Sequence, residues 1–161
     1  MNVQDIKSEQ NLRDWLGSEV INWNRAGNKK VGLDWIEPTF GSSMGISDCA
    51  ITYSGATFGV ELKHLYARRD GAVCYKIRPV QRRYNFMGVK AGRKLLLFAS
   101  VAKGGTIELV LIRGDKLPLR DYCHMEGSGC ETHLEQVILR LTTPFSHFLR
   151  TITDNDWWRQ S

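Results

Sequence analysis

Residues 48–63 read DCAITYSGATFGVELK, and this stretch decides the fold. Cys49, Ile51 and Tyr53 alternate with Asp48, Ala50 and Thr52. Phe58, Val60 and Leu62 alternate with Thr57, Gly59, Glu61 and Lys63. A period of two predicts strands, here over about 46–53 and 57–63. Ser54-Gly55 between them suits a two-residue hairpin turn. That turn pairs residues whose numbers sum to 109, so Asp48 falls opposite Glu61 with Cβ atoms ~5 Å apart. Facing carboxylates repel unless a cation joins them.

Upstream, residues 9–25 predict a helix, with Ser8 as N-cap and Glu9 in the first turn. Leu12, Trp15, Leu16, Val20 and Trp23 form its apolar face. Glu19 falls within that face, where a carboxylate needs a partner, so a metal or polar site is expected near it. Downstream, Pro79 opens a second helix with an apolar stripe of Val80, Tyr84 and Met87, ended by Gly88 and Gly92. Tyr84 is expected in the core. Lys94–Val101 reads as a buried strand, and Thr106–Ile112 follows after a glycine turn. Gly127-Ser128-Gly129 predicts a loop and Glu131–Leu141 a further helix, stopped by Pro144. Trp157 and Trp158 should fold back on the body. The sum is an α/β domain spanning 1–161, its core at about 9–112 and an extension at 113–161. Its sheet is mixed but mostly antiparallel, with a crossover helix.

Composition sets outer bounds. The 161 residues are 42% hydrophobic and 24% charged, the mixture of a globular chain. No apolar run reaches the ~18 residues a membrane helix needs. The start, MNVQDIKSEQNLRDW, has the pattern of neither a signal nor a transit peptide, so cytoplasmic residence is the expectation. The net charge of +5 is unevenly spread. Lys63 to Lys94 holds ten basic residues and one acid, Asp70, while the remainder is net negative. A basic block of this kind favours a polyanion, most often nucleic acid, although a solvated basic face has the same composition.

Cysteines stand at 49, 74, 123 and 130. Without an export signal a disulfide framework is not expected. Cys123, His124, Cys130 and His133 have zinc-ligand chemistry, but their spacing matches no familiar zinc framework, and scattered core and loop residues are the plainer reading.

The residues that carry chemistry are Asp48, Glu61 and Lys63. Two carboxylates side by side suit a hard divalent cation such as magnesium. Lys63 adds an ammonium group that could orient water or balance charge on a phosphate. Glu19 could add a third carboxylate, and Gln81 could reach the same face. Gly45-Ile46-Ser47-Asp48, twelve residues, then Glu61-Leu62-Lys63 resembles the PD-(D/E)XK nuclease signature, with Ser47 where proline is common. Arg78-Pro79-Val80-Gln81 and the basic residues after it are similar to the Gln-bearing helix of the VRR-NUC and Holliday-junction-resolvase-like branches.

The resemblance implies a restriction-endonuclease-like core, αβββαβ, with a central mixed sheet flanked by helices. It implies a metal-dependent DNA endonuclease, structure-selective for branched or junction DNA. Asp48, Glu61, the Leu62 carbonyl and Glu19 would hold magnesium, with manganese as substitute. Lys63 would position water, and Gln81 would support the site. Arg68, Arg69, Lys76, Arg78, Arg82 and Arg83 would hold phosphates of duplex or branched DNA. The segment from Leu65 to Ile77 would be a loop or hairpin that orders on DNA. Tyr66 and Tyr75 could stack on bases. Dimerisation is expected, so that two sites meet two strands. Two competing functions are a non-catalytic DNA-binding module and a sequence-specific restriction or homing endonuclease.

Overall fold

The computed structural model describes residues 1–37, 47–75, 77–118, 122–124 and 136–160, the side chains of 122–124 excepted. A 3-10 turn at Val3–Asp5 precedes α1 (Glu9–Arg25). Ser8 caps α1 by accepting from the Asn11 amide at 3.1 Å. Strands β1 (Gly32–Trp35), β2 (Cys49–Tyr53), β3 (Ala56–Tyr66) and β4 (Ala72–Cys74) follow, then α2 (Pro79–Lys90). After it come β5 (Leu95–Lys103), β6 (Thr106–Arg113), β7 (Tyr122–His124) and β8 (Gln136–Ile138). Helices α3 (Pro144–Ile152) and α4 (Asn155–Arg159) close the described chain.

Six strands form a mixed sheet in the order β1-β2-β3-β5-β6-β8. All neighbours are antiparallel except β3 and β5, which α2 connects as a parallel crossover. The β2–β3 pairs, Cys49 with Val60, Ile51 with Phe58 and Tyr53 with Ala56, follow the register the turn predicts. Ser54 and Gly55 have φ of 53° and 79°, the left-handed pair of a type I′ turn, whose twist matches that of the strands.

One sheet face lies under α1, α3 and α4. Trp15, Leu16, Phe58, Val60, Leu62, Phe98, Phe148 and Trp157 share its core. Trp158 stacks on Phe58, so both tail tryptophans do return to the body. The opposite face buries Leu65, Leu97, Ala99, Val110 and Ile112 against Val73, Tyr75, Ile77 and Leu117.

Four expectations change. Residues 136–138 are a sheet-edge strand paired with β6, not part of a helix; residues 131–135 lie outside the described residues, as does the expected loop at 127–129. Val137 packs on the main core while the backbone of 136–138 pairs with the β6 edge. Pro144 opens α3 rather than ending a helix, which fits its missing N–H and fixed φ. Of the loop and the hairpin expected after Leu65, the hairpin is found, bridged at Ala67 and Val73; what changes is its packing, with Val73, Tyr75 and Ile77 buried. Tyr75 is therefore core and not a stacking platform, whereas Tyr66 is exposed.

The fourth change is the face of α2. Gln81, Asn85 and Gly88 point inward, while Val80 is 44% exposed and Met87 58%. Tyr84 is half-buried rather than in the core. The apolar stripe faces out because the inward face must meet a carboxylate.

Candidate active site

Glu61 lies mid-strand in β3 and is only 2% exposed. Gln81, in the first turn of α2, donates from Nε2 to Glu61 Oε1 at 2.5 Å. Its own Oε1 accepts from the Arg78 amide at 3.2 Å, which fixes the side chain at the helix start. Asn85, one turn on, donates to the Gln81 carbonyl at 2.8 Å. The reversed face of α2 is thus a short polar ladder leading to one carboxylate.

Lys63 stands two residues along the same strand face, its Nζ 3.2 Å from Glu61 Oε1 and 4.0 Å from Glu9 Oε2. Both donors use the same Glu61 oxygen. The other, Oε2, is buried and has no hydrogen-bond partner. Burial first, and the negative charge of Asp48 second, push the Glu61 carboxyl up to about 7, against the pull of Lys63.

Asp48 sits at the entry to β2, where the ladder shifts. Its amide donates to the Val60 carbonyl at 3.0 Å, one residue from the register of the hairpin. Its Oδ2 accepts from the Leu62 amide at 2.7 Å. A residue in an extended strand directs its N–H and C=O to the same edge, so the Leu62 carbonyl shares the edge that Asp48 occupies.

Glu19 is not part of this group. Burial raises its carboxyl, and the charge that acts on it is the chain's N-terminus. It lies ten residues, roughly 15 Å of helix, from Glu9. The acid that α1 brings to the site is Glu9, which the sequence reading placed only as a first-turn residue. Burial raises its carboxyl, Lys63 lowers it and Asp48 raises it. Its sequence signal is weak, because an acid at a helix start needs no function beyond the macrodipole.

Of the expected phosphate contacts, Arg68 and Arg69 are exposed at the β3–β4 turn, Arg68 facing Asp70 at 3.2 Å. Arg78 and Arg83 are exposed around the start of α2, while Arg82 is half-buried and donates to the Ile77 carbonyl. Lys76 lies outside the described residues, as do Gly45, Ile46, Cys130 and His133; Cys123 and His124 contribute only backbone, in β7. Cys49 and Cys74 are free thiols, and burial pushes Cys49 up to about 12. Among the described residues no group of three or more His, Cys, Asp or Glu is arranged to hold a metal ion. None of their helices is long and apolar enough to cross a membrane.

No family model matches the chain, and neither does any curated protein or solved structure.

Proposed function

We propose that the chain is a metal-dependent DNA endonuclease of the PD-(D/E)XK type, with Asp48, Glu61 and Lys63 at its centre. The observation that carries this reading is the unpartnered Oε2 of Glu61 beside a second carboxylate. A buried carboxylate is costly unless satisfied. Here one oxygen takes two donors and the other takes none, which is the arrangement that leaves a lone pair for a cation. Hard oxygens from one or two carboxylates suit magnesium, which keeps several waters, so a third acidic ligand is not required. The succession of helix, three strands of the six-stranded sheet, a short β4 outside that sheet, crossover helix and strand supports a restriction-endonuclease-like core.

Asp48, Glu61 and the Leu62 carbonyl would hold the ion. Bound magnesium would polarise a phosphoryl oxygen and acidify a coordinated water. Gln81 keeps Glu61 in one orientation. Lys63, still partly exposed and tethered between Glu61 and Glu9, orients the attacking water and balances charge on the phosphate. Arg68, Arg69, Arg78 and Arg83 position the DNA backbone without reading sequence. Lys76 is assigned the same role from the sequence alone. A pair of copies would address both strands.

The test is cleavage of supercoiled plasmid and of a four-way junction with magnesium, with manganese and with chelator. Cleavage should require the divalent ion and vanish in Glu61→Ala. Binding without cleavage under every divalent ion would instead favour a non-catalytic DNA-binding module. Asp48→Asn should bind DNA at least as tightly as the parent, since it removes repulsion from phosphate while its amide oxygen can still accept from Leu62. Clearly weaker binding by the folded variant would displace Asp48 from the site.

A further inference from the structure

Next to the carboxylates, on the same sheet face and one pair nearer the turn, Ala50 lies opposite Gly59. Two such small residues leave a depression in the face. A cavity of about 460 Å³ occupies it, bordered among the described residues by Ser47, Ala50, Thr57, Gly59, Tyr84 and Arg93. A side chain on Gly59 would crowd this wall. A Cβ on it would meet Leu95 Cδ2 at 2.5 Å and Ser47 Oγ at 2.8 Å. Ser47 is 4% exposed and its hydroxyl has no partner, a costly state for a buried polar group unless a ligand supplies one. The opposite wall is aromatic and cationic. The Arg93 guanidinium lies 5.6 Å from the Tyr84 ring centroid and donates to the Tyr84 hydroxyl at 3.3 Å.

We propose that this cavity receives one unpaired nucleotide of the substrate strand, its base against Tyr84 and a polar edge on Ser47 Oγ. The inference rests on the nuclease reading of Asp48 and Glu61 and adds the substrate feature that the site selects. The volume falls in the range of small-ligand pockets. An aromatic ring with a guanidinium is the surface on which single-stranded bases stack, largely irrespective of sequence. A paired base is held in its duplex and cannot enter, so DNA with an unpaired nucleotide beside the scissile phosphate is preferred over plain duplex. Junctions, flaps and bulges supply such a nucleotide.

The measurement is binding, in chelator, of two duplexes that differ by one unpaired 2-aminopurine nucleotide. The protein should bind the bulged duplex about tenfold more tightly and change the 2-aminopurine fluorescence. Ala50→Leu, which fills the depression, and Tyr84→Leu, on a half-buried helix position, should each bring the ratio of the two affinities to about one. Using two variants guards against one failing to fold, which thermal melts reveal. If the parent cleaves plasmid yet binds both duplexes equally, the pocket assignment is overturned and the nuclease reading stands. A preference that survives in both folded variants also overturns it. If the parent cleaves under no divalent ion, the nuclease reading falls, and this inference with it.

Discussion

Under α1 the sheet buries Trp15, Phe98 and Phe148; under α2 it buries Glu61, Gln81 and Asn85. The first helix follows the usual rule, with Leu12, Trp15, Leu16 and Val20 inward. The second inverts it, showing Val80, Phe86 and Met87 to solvent and keeping amides inside. Apolar burial at ~25 cal/mol per Å² explains the first face without reference to function. It also explains most of the opposite sheet face, where Leu65, Leu97, Val110 and Ile112 are buried, but not the patch under α2, where burial of Glu61 costs free energy that only partly returns through Gln81 and Lys63. The unfavourable patch is the one that holds the proposed site, as expected when a site is built against the local rules of stability.

If the dry face is the source of stability, damage there should cost the most. Phe98→Ala, which removes a ring packed on Trp15 and Phe148, is expected to lose ~3–5 kcal/mol in urea unfolding. The polar face should show a pH signature instead. The Glu61 carboxyl sits at about 7 in the folded chain against an ordinary 4.5. The folded state therefore retains a proton that the unfolded state has already released. The contribution of this group to stability is fully present below pH 4.5, falls as pH rises to about 7 and is level above. The loss is of the order of 3 kcal/mol without metal. Glu61→Gln should flatten that part of the profile, and magnesium should restore stability above pH 7 in the parent but not in the variant. An equal fall with pH in the variant would mean that other groups carry it. Gln81→Ala, which strips one donor from a buried carboxylate, should cost about 2 kcal/mol. Because it loosens Glu61, it should also lower the cleavage rate more than it changes DNA binding.

How far the sequence reveals each face follows from the range of the forces involved. The β2–β3 hairpin is legible because its determinants are local: a period of two on either side of Ser54-Gly55 sets the register from Tyr53–Ala56 to Cys49–Val60. The expected pairing of Asp48 with Glu61 fails by one residue, because the ladder shifts at the entry to β2 and the Asp48 amide also bonds to the Val60 carbonyl. Periodicity points to Glu19 because it tells which face of α1 a residue occupies but not which end of the helix reaches the site. That depends on how α1 lies across the sheet, and it is Glu9 that stands within 4.0 Å of Lys63. The stripe of α2 faces outward for a related reason. Val80, Tyr84 and Met87 do recur at helical spacing, but the helix docks by the Gln81 amide. β1, four residues with weak alternation, and β8, three residues, give too short a pattern to be seen before their partners are known.

The outward stripe gives the smallest effect and the most direct check of the contrast. Met87 is 58% exposed and Val80 44%, so both already spend much of their surface in water. Met87→Lys removes little buried apolar area, and lysine is a good helix former. Its ammonium group adds to a turn that already carries Lys90, so slight repulsion is expected. Together these terms leave stability within ~0.5 kcal/mol of the parent, measured by urea unfolding at more than one protein concentration. A loss well above 1 kcal/mol would mean that the stripe is covered in solution. A loss that grows with protein concentration would identify the cover as a second copy of the chain, and the apolar outer face of α2 would then be an interface and not the by-product of a polar inner one.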